Sequence, residues 1–310
     1  MKIAYFWTAE FSRDIFVWIQ EFQDIQILCT VSQPDSPVWR RQEIISTPLK
    51  QASLASNIAC YQPEKIKKNK EFFSFLKSLD LDYIIVVAYG KILPREILEI
   101  PKYGTINIHW SLLPKYRGAS PIQEALKNGD KETWLTVMLM SEGMDEGDIL
   151  SQERIKVDIV DNTKIIFQKF AQIWTKFLVD TLREHILWKI SPQKQDESQV
   201  TYCWKIEKED GRISFHDMTA KQIYQLFQAY YLWPGIYAFL PDGKRLVIED
   251  CFFLEENNNQ GTGTLIQLSK KGFWIVCKEG ILLLKQVKPE GKKSMDMLSF
   301  VNGSKNLIIS

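Results

Sequence analysis

Two polar side chains, Asn107 and His109, stand two residues apart in an apolar stretch that leads into Ser111-Leu112-Leu113-Pro114. In a strand, residues i and i+2 share a face. The amide of Asn107 and the imidazole of His109 are therefore expected to point together, while Ile106 and Ile108 enter the core. Pro114 then stops the strand, because proline cannot extend a central ladder. An amide N–H can stabilise a developing oxyanion, and an imidazole can move protons near neutral pH, so the pair suits chemistry at a carbonyl carbon. The same spacing also fits two strand-end polar residues making ordinary backbone hydrogen bonds.

Three features favour chemistry. The chain has three histidines, His109, His185 and His216. His185 falls in a long helical pattern and His216 near an apparent domain entry, which suits structural or solvated roles. Downstream, Glu142-Gly143-Met144-Asp145-Glu146-Gly147-Asp148 places two glycines among four carboxylates between strand-like segments. Such a loop can aim a carboxylate at a neighbouring strand end. Finally, Arg117-Gly118-Ala119-Ser120-Pro121 reads as a turn feeding a helix, with Ser120 at the N-cap and Pro121 in the first turn.

The elements that must position these residues alternate. Strands are expected at Ile3 to Phe6, Ile25 to Val31, Tyr83 to Ala88, Ile106 to His109 and Trp134 to Leu139. Helices are expected at Phe11 to Phe22, Pro48 to Ser56, Phe72 to Leu79, near Pro94 to Leu98, and at Ala119 to Lys127. A long helix capped by Asn162 reaches Trp188. The run Tyr-Ile-Ile-Val-Val-Ala from Tyr83 is the pattern of a parallel strand buried on both faces. Alternation of this kind predicts an α/β fold with a Rossmann-like, doubly wound, mostly parallel sheet. Ligands of such sheets lie beyond the carboxyl ends of the strands, where Asn107 and His109 fall. The first strand leads into Trp7-Thr8-Ala9-Glu10-Phe11-Ser12 without a glycine, which argues against a dinucleotide cradle or a phosphate loop.

The polar, aperiodic stretch 191–205 reads as a linker, giving domains 1–190 and 206–310. After it come a helix at Ala220 to Tyr230 and short strands at Ile236 to Leu240, Arg245 to Phe253, Gly263 to Leu268, Phe273 to Val276 and Ile281 to Val287. Short strands with tight turns predict a smaller β-barrel of the oligonucleotide-binding (OB-like) kind. Lys285, Lys288, Lys292 and Lys293 gather near its end, either as a solvated turn or as a patch that grips phosphates.

At 310 residues, 45% apolar and 25% charged, with a net charge of +1, the chain is an ordinary globular protein. Whole-chain charge neither demands nor forbids a nucleic-acid partner. Five scattered cysteines form no C-x-x-C pair, which points to neither a zinc knuckle nor a disulfide framework. They fit a reducing cytoplasm. The first residues are charged too early for a signal peptide, and no apolar run approaches the roughly 18 residues of a membrane helix.

Asn107-Ile108-His109-Trp110-Ser111-Leu112-Leu113-Pro114-Lys115-Tyr116-Arg117-Gly118, followed by Gly143-Met144-Asp145-Glu146-Gly147-Asp148, closely resembles the folate-dependent formyltransferases. Their pattern is N-x-H-x-S-L-L-P-x-x-R-G and then G-x-D-x-G-D. Further likeness lies in Pro34-Asp35-Ser36-Pro37 through Pro48-Leu49-Lys50, in Val86 to Pro94, in Trp233-Pro234-Gly235 and in Pro289-Glu290-Gly291-Lys292-Lys293-Ser294-Met295. These segments are similar to the branch of the family that acts on initiator methionyl-tRNA. Trp7 to Ser12 and Trp39 to Glu43 depart from the family's pattern, and Trp110 fills a place that is often small.

The resemblance implies transfer of a formyl group from 10-formyltetrahydrofolate to the α-amine of methionyl-initiator-tRNA, with no metal and no obligatory protein partner. Asn107 would be the oxyanion donor and His109 the acid or base. Asp145 would hold His109 charged or order a relay water. Ser111, Leu112, Leu113 and Pro114, with Tyr89, Gly90 and Ile92, would flank the folate. Arg40, Arg41, Lys292 and Lys293 would contact tRNA phosphates. The nearest alternative is an N-formyltransferase acting on a nucleotide-linked amino sugar, with the same catalytic trio.

Overall fold

The structure is a computed structural model that describes residues 1–8, 12–37, 44–256, 258–269 and 272–303. Arg40 and Arg41 lie outside the described residues. The chain forms two compact units. The first is built from Met1–Gly118, Trp134–Ile155 and Lys169–Tyr202; the second from Ala119–Thr133, Lys156–Gln168 and the residues from Cys203 onward.

The first unit carries a sheet of seven strands: β1 (Lys2–Trp7), β2 (Gln26–Val31), β3 (Cys60–Tyr61), β4 (Tyr83–Val87), β5 (Thr105–His109), β6 (Glu132–Leu139) and β7 (Ile149–Lys156). Their order is β7-β6-β5-β4-β1-β2-β3. The pairs β1–β2, β2–β3, β1–β4 and β4–β5 are parallel, and β5–β6 is antiparallel. The chain builds outward from β1 on one side, then returns to the other side through β4 and β5. This reversal is the topological switch point of a doubly wound sheet, as expected.

Alternation in β1 explains why its run is apolar throughout. Ala4 and Phe6 enter a core with Phe72, Leu76, Ile84 and Val86. On the other face Tyr5 packs on Phe16, with ring centroids 5.8 Å apart. Helices α1 (Ser12–Ile19), α2 (Pro48–Ala55), α3 (Lys70–Ser78) and α4 (Arg95–Leu98) connect the strands. Thr47 and Asn69 cap α2 and α3 by accepting from the N–H of Lys50 and Phe72. Strand β7 runs on through the polar Ser151-Gln152-Glu153-Arg154, because it occupies the edge of the sheet, where only part of a strand need be apolar.

In the second unit α5 (Pro121–Asn128) begins at Ser120 and ends at left-handed Gly129 (φ +73°). Pro121 takes the first helical turn as expected, but the Ser120 hydroxyl makes no cap bond. It donates to the carbonyl of Trp204 instead. Asn162 does cap α6 (Thr163–Ile186), accepting from the N–H of Ile165 at 3.1 Å. Helix α7 (Ala220–Ala229) carries a Thr219–Gln222 capping box. The strands β8 (Ile236–Phe239), β9 (Arg245–Leu254), β10 (Leu265–Ser269), β11 (Gly272–Val276), β12 (Ile281–Pro289) and β13 (Met295–Asp296) form an antiparallel sheet. Its order is β8-β9-β12-β11-β10, with β13 also on β12. The five expected strands are all present. Tyr224 of α7 packs on the rings of Phe252 and Phe253, each 5.2 Å away. A short helix, α8 (Met297–Asn302), follows, capped by Asp296. Among the described residues no helix is long and apolar enough to cross a membrane.

His185 is structural. It is buried near the end of α6, and its Nδ1 meets the hydroxyl of Tyr83 at 2.9 Å. Burial pushes its imidazole below the usual 6.5. The unfolded chain therefore takes up this proton more readily than the folded one. The stabilising contribution is complete above about pH 6.5 and is lost as pH falls below it. Unfolding midpoints recorded between about pH 7 and about pH 5 are expected to fall with acidification, and His185→Gln is expected to flatten that slope.

Candidate active site

Strand β5 brings Asn107 and His109 to the carboxyl edge of the parallel strands. Its neighbours fix the register: Asn107 lies opposite Val86 on one side and Met138 on the other, and His109 lies opposite Thr136. Beyond β5 the chain turns through Ser111 to Gly118. The Ser111 hydroxyl donates to the carbonyl of Lys115 at 2.5 Å, and its own carbonyl accepts from the Thr136 hydroxyl at 2.6 Å. Leu113 is buried, and its carbonyl accepts from the side-chain amide of Gln152 at 3.1 Å. The Leu113-Pro114 peptide is cis. The turn is thus tied to β6 and β7, which keeps Tyr116 against His109.

The loop after β6 then delivers Asp145. Its carboxylate faces three nitrogens. Oδ2 accepts from the backbone N–H of Gly118 at 2.9 Å, and Oδ1 from the Asn107 amide at 3.3 Å. His109 Nδ1 lies 3.6 Å from Oδ2. On the far side of the ring, Nε2 meets the carbonyl of Tyr116 at 2.8 Å. A carbonyl only accepts, so Nε2 must carry a proton. Nδ1 faces the Asp145 carboxylate across a gap longer than a hydrogen bond. One N–H of Asn107 points to Asp145, and its side-chain amide makes no other hydrogen bond among the described residues.

Three backbones around His109 are left-handed: Tyr116 (φ +59°), Gly118 (φ +127°) and Asp145 (φ +53°). For non-glycine residues such conformations cost about 1–3 kcal/mol each and survive where surrounding bonds over-determine them. Gly147 supplies a close approach, since a Cβ there would meet the carbonyl oxygen of Leu139 at 1.7 Å. A second group of buried bonds holds the same loop. Arg117, 2% exposed, is engaged by Gln195 and Glu197, and Gln195 also donates to the carbonyls of Asp145 and Gly147. Sequence reading missed Gln195, because a glutamine in a polar, aperiodic stretch carries no signal of burial.

The segment after β4 flanks the same edge. Ala88 and Gly90 are left-handed, and the Tyr89 carbonyl accepts from Gln33 at 2.9 Å and from Thr8 at 3.2 Å. The Tyr89 side chain is buried. Ile92 is 73% exposed and lines a cavity of about 650 Å³ with Leu93, Pro94, Arg95 and Glu142. Of the expected folate-flanking residues, Ile92 and the half-buried Leu112 and Pro114 present side-chain surface, whereas Ser111, Leu113 and Tyr89 serve the turns. In the second unit Lys285 lies 3.6 Å from Asp250. Lys288 lines a groove of about 660 Å³ with Lys208, Arg245, Glu249 and Glu290. Lys292 and Lys293 are exposed and make no ion pair among the described residues.

Comparison with known proteins gives this geometry a family. The formyl transferase pattern matches residues 1–182, and that of the formyl transferase C-terminal domain matches 205–305. The chain belongs to the formyl transferase family. It is 41% identical to the methionyl-tRNA formyltransferase of Caldicellulosiruptor saccharolyticus, over 98% of this chain and 97% of that one. It is 40% identical to that of Dictyoglomus turgidum, over 98% and 96%. Among solved structures, the sugar 3N-formyl transferase WlaRD superposes with a TM-score of 0.65 at 17% identity, covering 94% of this chain and 99% of that one. HypX from Aquifex aeolicus gives 0.63 at 15% identity; the match covers 97% of this chain but only 48% of HypX. At such identities the superpositions show a shared fold alone.

The loop geometry yields a graded expectation. Gly147→Ala forces a Cβ onto a backbone oxygen, and is expected to cost about 1–3 kcal/mol in stability and to lower formyl transfer sharply. Gly143→Ala meets only the flexible carboxyl of Glu146 and should be milder in both. Denaturant titration and turnover measured side by side check the ranking.

Proposed function

We propose that this chain transfers the formyl group of 10-formyltetrahydrofolate to the α-amine of methionine carried by initiator tRNA, at the start of translation in the cytoplasm. The observation that carries this reading is near-complete, two-sided coverage at about 40% identity by relatives named for that activity. Convergence of Asn107, His109 and Asp145 supports it. The neutral amine attacks the formyl carbon, and a new C–N bond forms. The carbonyl oxygen becomes a tetrahedral oxyanion, stabilised by the second N–H of Asn107. The bond from carbon to N10 then breaks. Nδ1 of His109, beside Asp145, takes the proton lost by the amine and passes it to N10. The incoming amine is itself a competent nucleophile, so no covalent enzyme intermediate and no metal is needed.

In this reading Ser111 to Pro114 and Tyr89, Gly90 and Ile92 flank the folate. Residues 206–310 form the tRNA-binding domain, joined to the catalytic domain 1–190 through 191–205. Arg40, Arg41, Lys292 and Lys293 hold phosphates and position the acceptor end without reading bases. The deciding experiment supplies 10-formyltetrahydrofolate with either methionyl-tRNA or a nucleotide-linked amino sugar, and measures which acceptor gains the formyl mass. Formylation of the sugar alone would refute the proposal.

Asn107→Ala and His109→Ala are each expected to lower turnover at least about a hundredfold with the fold retained; near-normal turnover would refute their roles. Charge reversal at Lys292 and Lys293, or at Arg40 and Arg41, is expected to raise KM for tRNA and to reduce its salt dependence. Folate affinity should stay unchanged. Equal loss of both affinities would point to misfolding.

A further inference from the structure

We infer that Gln195 is a positioning residue for the formyl transfer, holding the Asp145 turn in register with Asn107 and His109; this rests on the proposed role of Asp145. The side-chain amide of Gln195 is a buried two-sided clamp, 9% exposed. Its Oε1 accepts from Arg117 Nε at 3.0 Å and from Nη2 at 2.8 Å. Its Nε2 donates to the carbonyls of Asp145 and Gly147, both at 2.8 Å. A guanidinium only donates and a carbonyl only accepts, so the amide can face just one way.

The bonds close a circuit. Arg117 leads through Gln195 to the backbone of Asp145. The Asp145 carboxylate returns to the N–H of Gly118, the residue after Arg117. Asp145 is thereby pinned at its main chain and at its carboxylate, in the left-handed conformation that it would otherwise leave. Gln195 reaches no acceptor group on Asn107 or His109; it acts through the turn. Glu197 also binds Arg117, with oxygens 2.7 and 3.3 Å from Nη2 and Nη1. Arg117 therefore keeps a counter-charge when Gln195 is changed, and the two roles of the amide can be separated.

Gln195→Glu makes the separation. A glutamate still accepts from Arg117 but turns an oxygen toward two carbonyls, so the hold on the turn is lost while the buried cation stays neutralised. Steady-state formylation of methionyl-tRNA by the full chain is expected to show kcat lowered by about tenfold to a hundredfold, with KM for both substrates within about twofold. Placed on Asp145→Asn, the same change is expected to have no further effect, since it acts only through Asp145. Gln195→Asn, shorter by one methylene, gives a milder loss of the same kind and serves if the glutamate variant does not fold. Wild-type kcat in a folded Gln195 variant overturns the inference, as does an equal loss in both backgrounds, which is what general destabilisation produces. If Asp145→Asn alone keeps wild-type turnover, the proposed role of Asp145 fails first, and the positioning role with it.

Discussion

One carboxylate organises the candidate site. Asp145 accepts from the Gly118 N–H and the Asn107 amide and faces the imidazole of His109. These donors come from a strand and from the turn that follows it; the acceptor comes from a later loop. Removing the carboxylate would leave a polar strand end and a tight turn without a shared partner. A buried donor that loses its acceptor keeps the full cost of desolvation, about 1–3 kcal/mol. The arrangement is therefore held most strongly when all its members are present.

The rest of the first unit can be understood as support for that contact. A doubly wound sheet ends its parallel strands on one edge, so the segments after β4 and β5 must lie side by side. Left-handed residues then turn each segment sharply: Ala88 and Gly90 after β4, Tyr116 and Gly118 after β5. Gly147 lets the Asp145 loop rest on the carbonyl of Leu139. Arg117 adds a buried cation. Such a group is tolerated inside a protein only when it is paired and hydrogen-bonded, and here the partners come from residues 195 and 197.

Electrostatics in the second unit is local. With a net charge of +1 the whole chain exerts no strong field, so attraction to a polyanion must come from a few groups. Lys285 is partly neutralised by Asp250, and Lys288 shares its groove with Glu249 and Glu290. Lys292 and Lys293, on an exposed turn, make no ion pair among the described residues. Identical residue types a few positions apart thus differ in what they can offer a phosphate, and burial and pairing make the difference.

Much of this was legible in the residues. Continuous apolar runs such as Tyr83–Val87 signalled strands covered on both faces, and period-two spacing put Asn107 and His109 on one side. Turn-rich spacing after residue 235 signalled the antiparallel sheet. Local chemistry was less dependable: Asn162 caps its helix, whereas the Ser120 hydroxyl turns to Trp204. A cap bond is worth about 1 kcal/mol, so a better partner elsewhere can displace it. The polar edge strand through Lys156 and the burial of Gln195 and Arg117 had no sequence signature. By itself the sequence determined the order and type of the elements and the residues able to do the chemistry, because periodicity and residue type are local properties. Residue type and spacing left four carboxylates open, and the family resemblance pointed to Asp145; only the tertiary structure decided that Arg117 and Gln195 lie buried under its turn, because those bonds join residues 50 to 78 positions apart.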